Sequence, residues 1–97
     1  MDVCFDLHGI TFIWDEEKAR KNLIKHGIAF EQAAETFFDP FVRMIDASPE
    51  DETRDAVIGM DENWNLLFVV HVEIEQDRIR IVSARKAARV ERQYYET

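Results

Sequence analysis

Apolar and polar residues follow two different rhythms along this chain. Residues 3–7 (VCFDL) and 10–14 (ITFIW) are β-rich runs on either side of His8-Gly9. They predict two short strands of a hairpin, or one interrupted strand. The rhythm then becomes helical. Asp15 is a good N-cap, and Glu16 and Glu17 stand in the first turn, where the helix dipole favours acids. The helix runs through EEKARKNLIKH, with Ala19 and Leu23 on one face and Lys18, Lys21 and Lys25 on a neighbouring one. Gly27 ends it at the position where positive φ costs glycine least. A second helix is expected from Phe30 to Phe38, with Phe30, Ala33, Ala34, Phe37 and Phe38 apolar, and Asp39-Pro40 stops it.

From Phe41 the period becomes that of strands. FVRMID, RDAVIGM and LLFVVHVEI are separated by the acidic loop ASPEDET and the turn DENWN. LLFVVHVEI is apolar on both faces in its first half, as in a central strand. After Glu75-Gln76-Asp77, the stretch RIRIVSA places Arg78, Arg80 and Val82 on one face and Ile79, Ile81 and Ser83 on the other. Ser83 is placed to cap a last helix from Arg85 to about Tyr95. Two strands, two helices, three or four antiparallel strands and a helix describe one small α+β domain over residues 1–97.

Charge sharpens the picture. The formal net charge is −8, but six of the twelve Lys and Arg residues fall in residues 78–97, which hold only two acids. The long-range field repels nucleic acid. Screening over about 8–10 Å still lets a local basic patch hold phosphate at short range. No run approaches eighteen apolar residues, so no membrane-spanning segment is expected and a cytoplasmic location is the default. The single Cys4 fits a reducing compartment.

Several chemistries lack their spacing. His8, His26 and His71 do not form a zinc pattern, Glu50-Asp51-Glu52 does not form a calcium loop, and the three isolated glycines do not form a phosphate loop. No metal and no cofactor is expected. What remains is phosphate chemistry by Arg, Lys and His. An RNA strand is cut when its 2′-hydroxyl attacks phosphorus, a base takes the proton and an acid protonates the leaving oxygen. Guanidinium and ammonium groups hold the extra negative charge. Arg78 and Arg80 lie on one strand, His71 on its expected antiparallel neighbour and Arg54 on the strand before. Lys86, Arg89 and the two tyrosines come from the last helix. Read as residues alone, Arg78 and Arg80 also suit a solvated sheet face paired with Glu73 or Glu75. His71 likewise suits a partly buried core position, and the lysine row an ordinary helix surface.

An ordered set of motifs resembles the BrnT toxin family. Its first signature is matched by Phe12-x-Trp14-Asp15, Lys18, Asn22, Lys25-His26-Gly27, Phe30, Glu31 and Ala33. The second is matched by Arg54, Ile58 and Gly59. The third is matched by Arg78, Ile79, Arg80, Ile81, Ser83-Ala84-Arg85, Glu91-Arg92 and Tyr95-Glu96. Residues 1–9 extend beyond the usual start, and Ala29 stands where a hydroxyl residue is often found.

The resemblance implies a RelE-like fold and a ribonuclease toxin of a type II toxin–antitoxin pair that cuts RNA without metal. It implies a BrnA-type ribbon-helix-helix antitoxin as partner, with operator DNA reached only through the complex. On this reading Arg80, Arg54 and His71 are the catalytic candidates, with His71 as base or acid. Lys18, Lys21, Arg78, Arg85, Lys86 and Tyr94 are the RNA-binding candidates. The alternative is a non-catalytic module that holds an antitoxin and modulates repression.

Overall fold

The computed structural model describes residues 1–47 and 54–97. The acidic stretch 48–53, which holds most of the expected ASPEDET loop, lies outside the described residues. The element order is β1 (Asp2–Leu7), β2 (Ile10–Asp15), α1 (Glu16–His26), α2 (Phe30–Glu35), β3 (Arg43–Asp46), β4 (Asp55–Met60), β5 (Leu66–Glu75), β6 (Arg78–Lys86) and α3 (Arg89–Glu96). A 3₁₀ turn at Thr36–Phe38 extends α2, so the expected Phe30–Phe38 helix is present with a tightened last turn.

The strands form one sheet in the order β1-β2-β6-β5-β4-β3. β1 and β2 are a true hairpin. His8 (φ 50°) and Gly9 (φ 85°) turn the chain, as a two-residue loop with both central residues at positive φ does. An antiparallel sheet is expected from the sequence, and every join among the described strands but one is antiparallel. β2 runs parallel to β6, with Thr11 opposite Arg78 and Ile13 opposite Arg80. β5 lies between β4 and β6, in the central place that its doubly apolar first half predicts.

One face of the sheet carries the core. Phe12 and Trp14 of β2, Val57 of β4, Leu67 and Val69 of β5, and Ile81 and Ala84 of β6 pack against Ile28, Phe30, Ala33 and Ala34. These side chains are all but sealed from water, and burial of each large one stabilises the fold by about 1.5–3 kcal/mol. Gly59 makes this packing close. A Cβ there would stand 2.7 Å from the Thr36 carbonyl oxygen.

The last strand departs from the expected pattern. Val70 pairs with Ser83 while His71 pairs with Ile81, so Val82 is an extra residue in a β-bulge. The bulge moves Ser83 to the face of Arg78 and Arg80 and turns Ala84 into the core. Ser83 therefore caps nothing; β6 continues to Lys86. The final helix begins at Arg89, and Ala88 is its N-cap. Ala has no side-chain oxygen to cap the helix, so only the reciprocal half of a capping box is made: the Glu91 carboxylate accepts the Ala88 N–H (2.6 Å).

Candidate nucleic-acid interface

The site is built where β2 stops. β2 pairs with β6 only as far as Arg80, so the backbone of β6 beyond it needs another partner. α1 supplies one. Asp15 starts the helix by accepting the Lys18 N–H (3.0 Å), and Gly27 ends it at φ 72°. Between these caps the buried Asn22 donates to the Ala84 carbonyl (2.8 Å) and accepts the Ala84 N–H (3.1 Å). It also donates to the Ile28 carbonyl (3.0 Å), which fixes the chain as it leaves the helix.

With Asn22 facing the strand edge, helical spacing puts Lys18, Lys21 and Lys25 beside it. Together with His26, Val82 and Ser83 they line a cleft of about 220 Å³ between α1 and β6. Among the described residues, none of these three lysines has a carboxylate within ion-pair distance. Three ammonium groups, an imidazole and a hydroxyl thus gather around one surface cleft, a set of donors whose chemistry suits an anion.

The arginines of β6 lie on the sheet face that Ser83 joins. Arg80 forms two parallel hydrogen bonds to Asp2, at 2.8 Å and 3.3 Å. This pairing holds Arg80 more firmly in its charged form and draws the Asp2 carboxyl below its ordinary range. The partner is thus Asp2, not Glu73 or Glu75. Arg85 binds Glu91 with both terminal nitrogens, each at 2.8 Å, and stacks over the Phe68 ring at 4.3 Å. Glu91 is pulled below the usual carboxylate range by that bond.

Arg78 is exposed at the start of β6, opposite Thr11 and Glu75. Arg54 directly precedes β4. Continuing the ladder by one residue sets it level with Val72, which pairs with Arg80, so Arg54 and Arg80 flank β5 at one level. Lys86 is exposed at the far end of β6. Tyr94 is half-exposed on α3 beneath the Arg43 guanidinium (5.4 Å to the ring centre).

α3 has no buried residue and is held by polar contacts. The Tyr95 hydroxyl donates to Asp39 (2.5 Å), and Arg43 donates to the Thr97 carbonyl. Partial burial and the Asp39 charge push the Tyr95 hydroxyl up to about 12.

His71 stands apart from this surface. It is 1% exposed and pairs with Ile81 on the core face, opposite the face of Arg80. Its ring meets Phe37 edge-on (4.9 Å between ring centres), and its Nδ1 has no hydrogen-bond partner. Burial lowers its pKa, which keeps it neutral. A side chain sealed in this way cannot reach a 2′-hydroxyl, so the expectation that pairs it with Arg80 is corrected. His71 is a core residue, buried completely where only partial burial was expected. The histidine on the basic surface is His26. Lys25, His26 and Ser83 were not singled out for chemistry from the sequence. The lysine row reads as an ordinary helix surface until Asn22 is seen to dock the helix.

Among the described residues, no three His, Cys, Asp or Glu side chains gather to hold a metal ion. No helix among them is long and apolar enough to cross a membrane.

Residues 14–91 match the family described as the ribonuclease toxin, BrnT, of type II toxin–antitoxin systems. The chain belongs to this family. Membership in the BrnT family implies an antitoxin partner. The fold agrees with the crystal structure of the Brucella abortus ribonuclease toxin, BrnT. That chain is 22% identical, and the match covers 78% of this chain and 94% of that one at a TM-score of 0.61. A search of curated protein sequences finds no match. The BrnT match takes in α1, β6 and the cleft between them. β1 and most of β2 precede it.

Proposed function

We propose that this BrnT-family chain is an endoribonuclease that cuts RNA without a metal ion on the surface formed by α1 and β6. The observation that carries the reading is the cleft of Lys18, Lys21, Lys25, His26 and Ser83 on a strand that also presents Arg80. A phosphodiester in the cleft meets ammonium groups along one wall. The 2′-hydroxyl attacks phosphorus and the leaving oxygen departs in line. His26 takes the proton of the 2′-hydroxyl, and a cleft lysine gives one to the leaving 5′-oxygen. The lysines hold the charge that grows on the phosphorane oxygens, with Arg80 further along β6 and Arg54 level with it across β5. Arg78, Arg85, Lys86 and Tyr94 belong to the outer track of the RNA. The proposed antitoxin is of the BrnA type, with a ribbon-helix-helix DNA-binding region. It covers this surface and carries the complex to operator DNA.

One observation favours the alternative, a toxin-like module that holds an antitoxin without cutting RNA. Arg80 and Arg85 are already neutralised by Asp2 and Glu91. Cleavage of purified RNA in EDTA separates the two. Under the enzyme reading the parent chain cuts, and Lys21→Ala, His26→Ala and Arg80→Ala each lose activity while staying folded. A folded parent chain that leaves RNA intact, both free and on translating ribosomes, makes the binding module the better account.

A further inference from the structure

The strand that constrains Arg80 precedes the residues that match the family. β1 pairs with β2 along its whole length, Asp2 opposite Asp15 and Cys4 opposite Ile13. Ile13 is in turn the register partner of Arg80. Asp2 therefore sits one pleat beyond Cys4 on the same face, and its carboxylate reaches diagonally past Ile13 to the guanidinium two strands away. The residue before Asp2 is held as well: the Met1 carbonyl accepts the Glu16 N–H (2.9 Å).

The chemistry of this pair matters for phosphate. The planar fork of an arginine meets two carboxylate oxygens and two phosphate oxygens with the same pair of parallel bonds. Asp2 uses both terminal nitrogens of Arg80. A phosphodiester that takes this same fork of Arg80 must displace Asp2, and the freed carboxylate then stands beside the phosphate as a like charge. We propose that Asp2 is an internal competitor for RNA phosphate, and that β1 attenuates the binding surface from within the chain. This rests on the reading of Arg80 as a phosphate contact. The pair is partly solvated, with the two side chains 36% and 52% exposed, so the device moderates binding and does not abolish it.

The test uses the full chain and a fluorescein-labelled 2′-O-methyl RNA of mixed sequence, which has no free hydroxyl to attack. Affinity is read by anisotropy across a salt series for the parent, Asp2→Asn, Arg80→Ala and the double variant. Asp2→Asn is expected to tighten binding by up to about fivefold, the range of an exposed ion pair. Its log–log salt dependence should steepen by about 0.7, as for one more phosphate contact on a single strand. In the Arg80→Ala background the same change should do nothing. Asp6→Asn removes the same charge from the same strand without touching an arginine, and should leave affinity at the parent value.

Equal tightening by Asp2→Asn with and without Arg80 would reduce the effect to bulk charge and overturn the proposal. Unchanged affinity in Asp2→Asn while Arg80→Ala weakens binding would overturn it and leave Arg80 in the site. Parent-like binding by Arg80→Ala would remove both the proposal and the reading beneath it.

Discussion

Asn22 and Ala84 are 62 residues apart in the chain and joined by two hydrogen bonds. The side-chain amide of a helix stands in for the backbone of a missing strand, and the basic cleft opens beside that join. Asn22→Ala leaves a buried N–H and two buried carbonyls without this partner. The expected cost is about 3 kcal/mol or more, at roughly 1–3 kcal/mol for each of the three groups left unsatisfied. Asn22→Asp should also destabilise, because it turns a donor toward Ala84 and Ile28 into a negative charge facing their carbonyls. Urea unfolding checks both. A midpoint equal to the parent's would mean that this join does not hold α1.

His71 gives the fold a pH dependence. Its folded pKa lies below its ordinary value of 6.5, through burial. The unfolded chain therefore takes up a proton at a pH where the folded one does not. Stability from this group is complete above about 6.5 and is lost as pH falls toward the folded pKa. His71→Phe should flatten this part of the stability–pH curve. Under the proposed function it also keeps RNA cleavage, whereas His26→Ala loses it. Loss of cleavage by a stable His71→Phe protein would return His71 to the site.

Tyr95 ties α3 to the sheet through Asp39. Burial opposes the Asp39 charge, but bonds from Tyr95 and from the N–H groups of Met60 and Phe41 outweigh it and hold the carboxyl below the usual range. Tyr95→Phe should cost about 1–2 kcal/mol, as for a partly exposed hydrogen bond to a charged group. The hydroxyl ionises near 12 in the folded chain against 10.0 ordinarily. The folded state thus holds this proton longer, and stability falls as pH rises from about 10 to 12. An ultraviolet titration should find a tyrosine ionising near 12 in the parent that is lost in Tyr95→Phe.

The lysine cleft predicts a graded electrostatic response. Lys21→Ala and Lys25→Ala should each weaken RNA binding and lower the log–log salt slope by about 0.7. Both side chains are exposed, so thermal stability should stay within about 0.5 kcal/mol of the parent. Anisotropy titrations at several salt concentrations give the slopes. An unchanged slope in both variants would place the phosphates elsewhere.

Local chemistry was legible and long-range register was not. The caps of α1 at Asp15 and Gly27, the stop at Pro40 and the central place of β5 all follow from nearest-neighbour rules. The parallel pairing of β2 with β6 depends on residues from opposite ends of the chain, which no local pattern records. The bulge at Val82 had the same effect on a smaller scale. One extra residue moved Ser83 to the opposite face and carried the strand past the point where a serine looks like a cap. His71 was recognised as a core candidate from its apolar strand mates. Its separation from Arg80 followed once the register was fixed. Gly59 reads as an isolated glycine until Thr36 is seen against it.

The parallel join of β2 to β6 also bears on how the chain is made. The lysines of α1 leave the ribosome well before Arg80, Ser83 and the Ala84 backbone. A partial chain therefore carries one wall of the cleft with nothing to set it against. The basic surface first exists once β6 has emerged, so a nascent chain lacks the assembled face until that strand is in place.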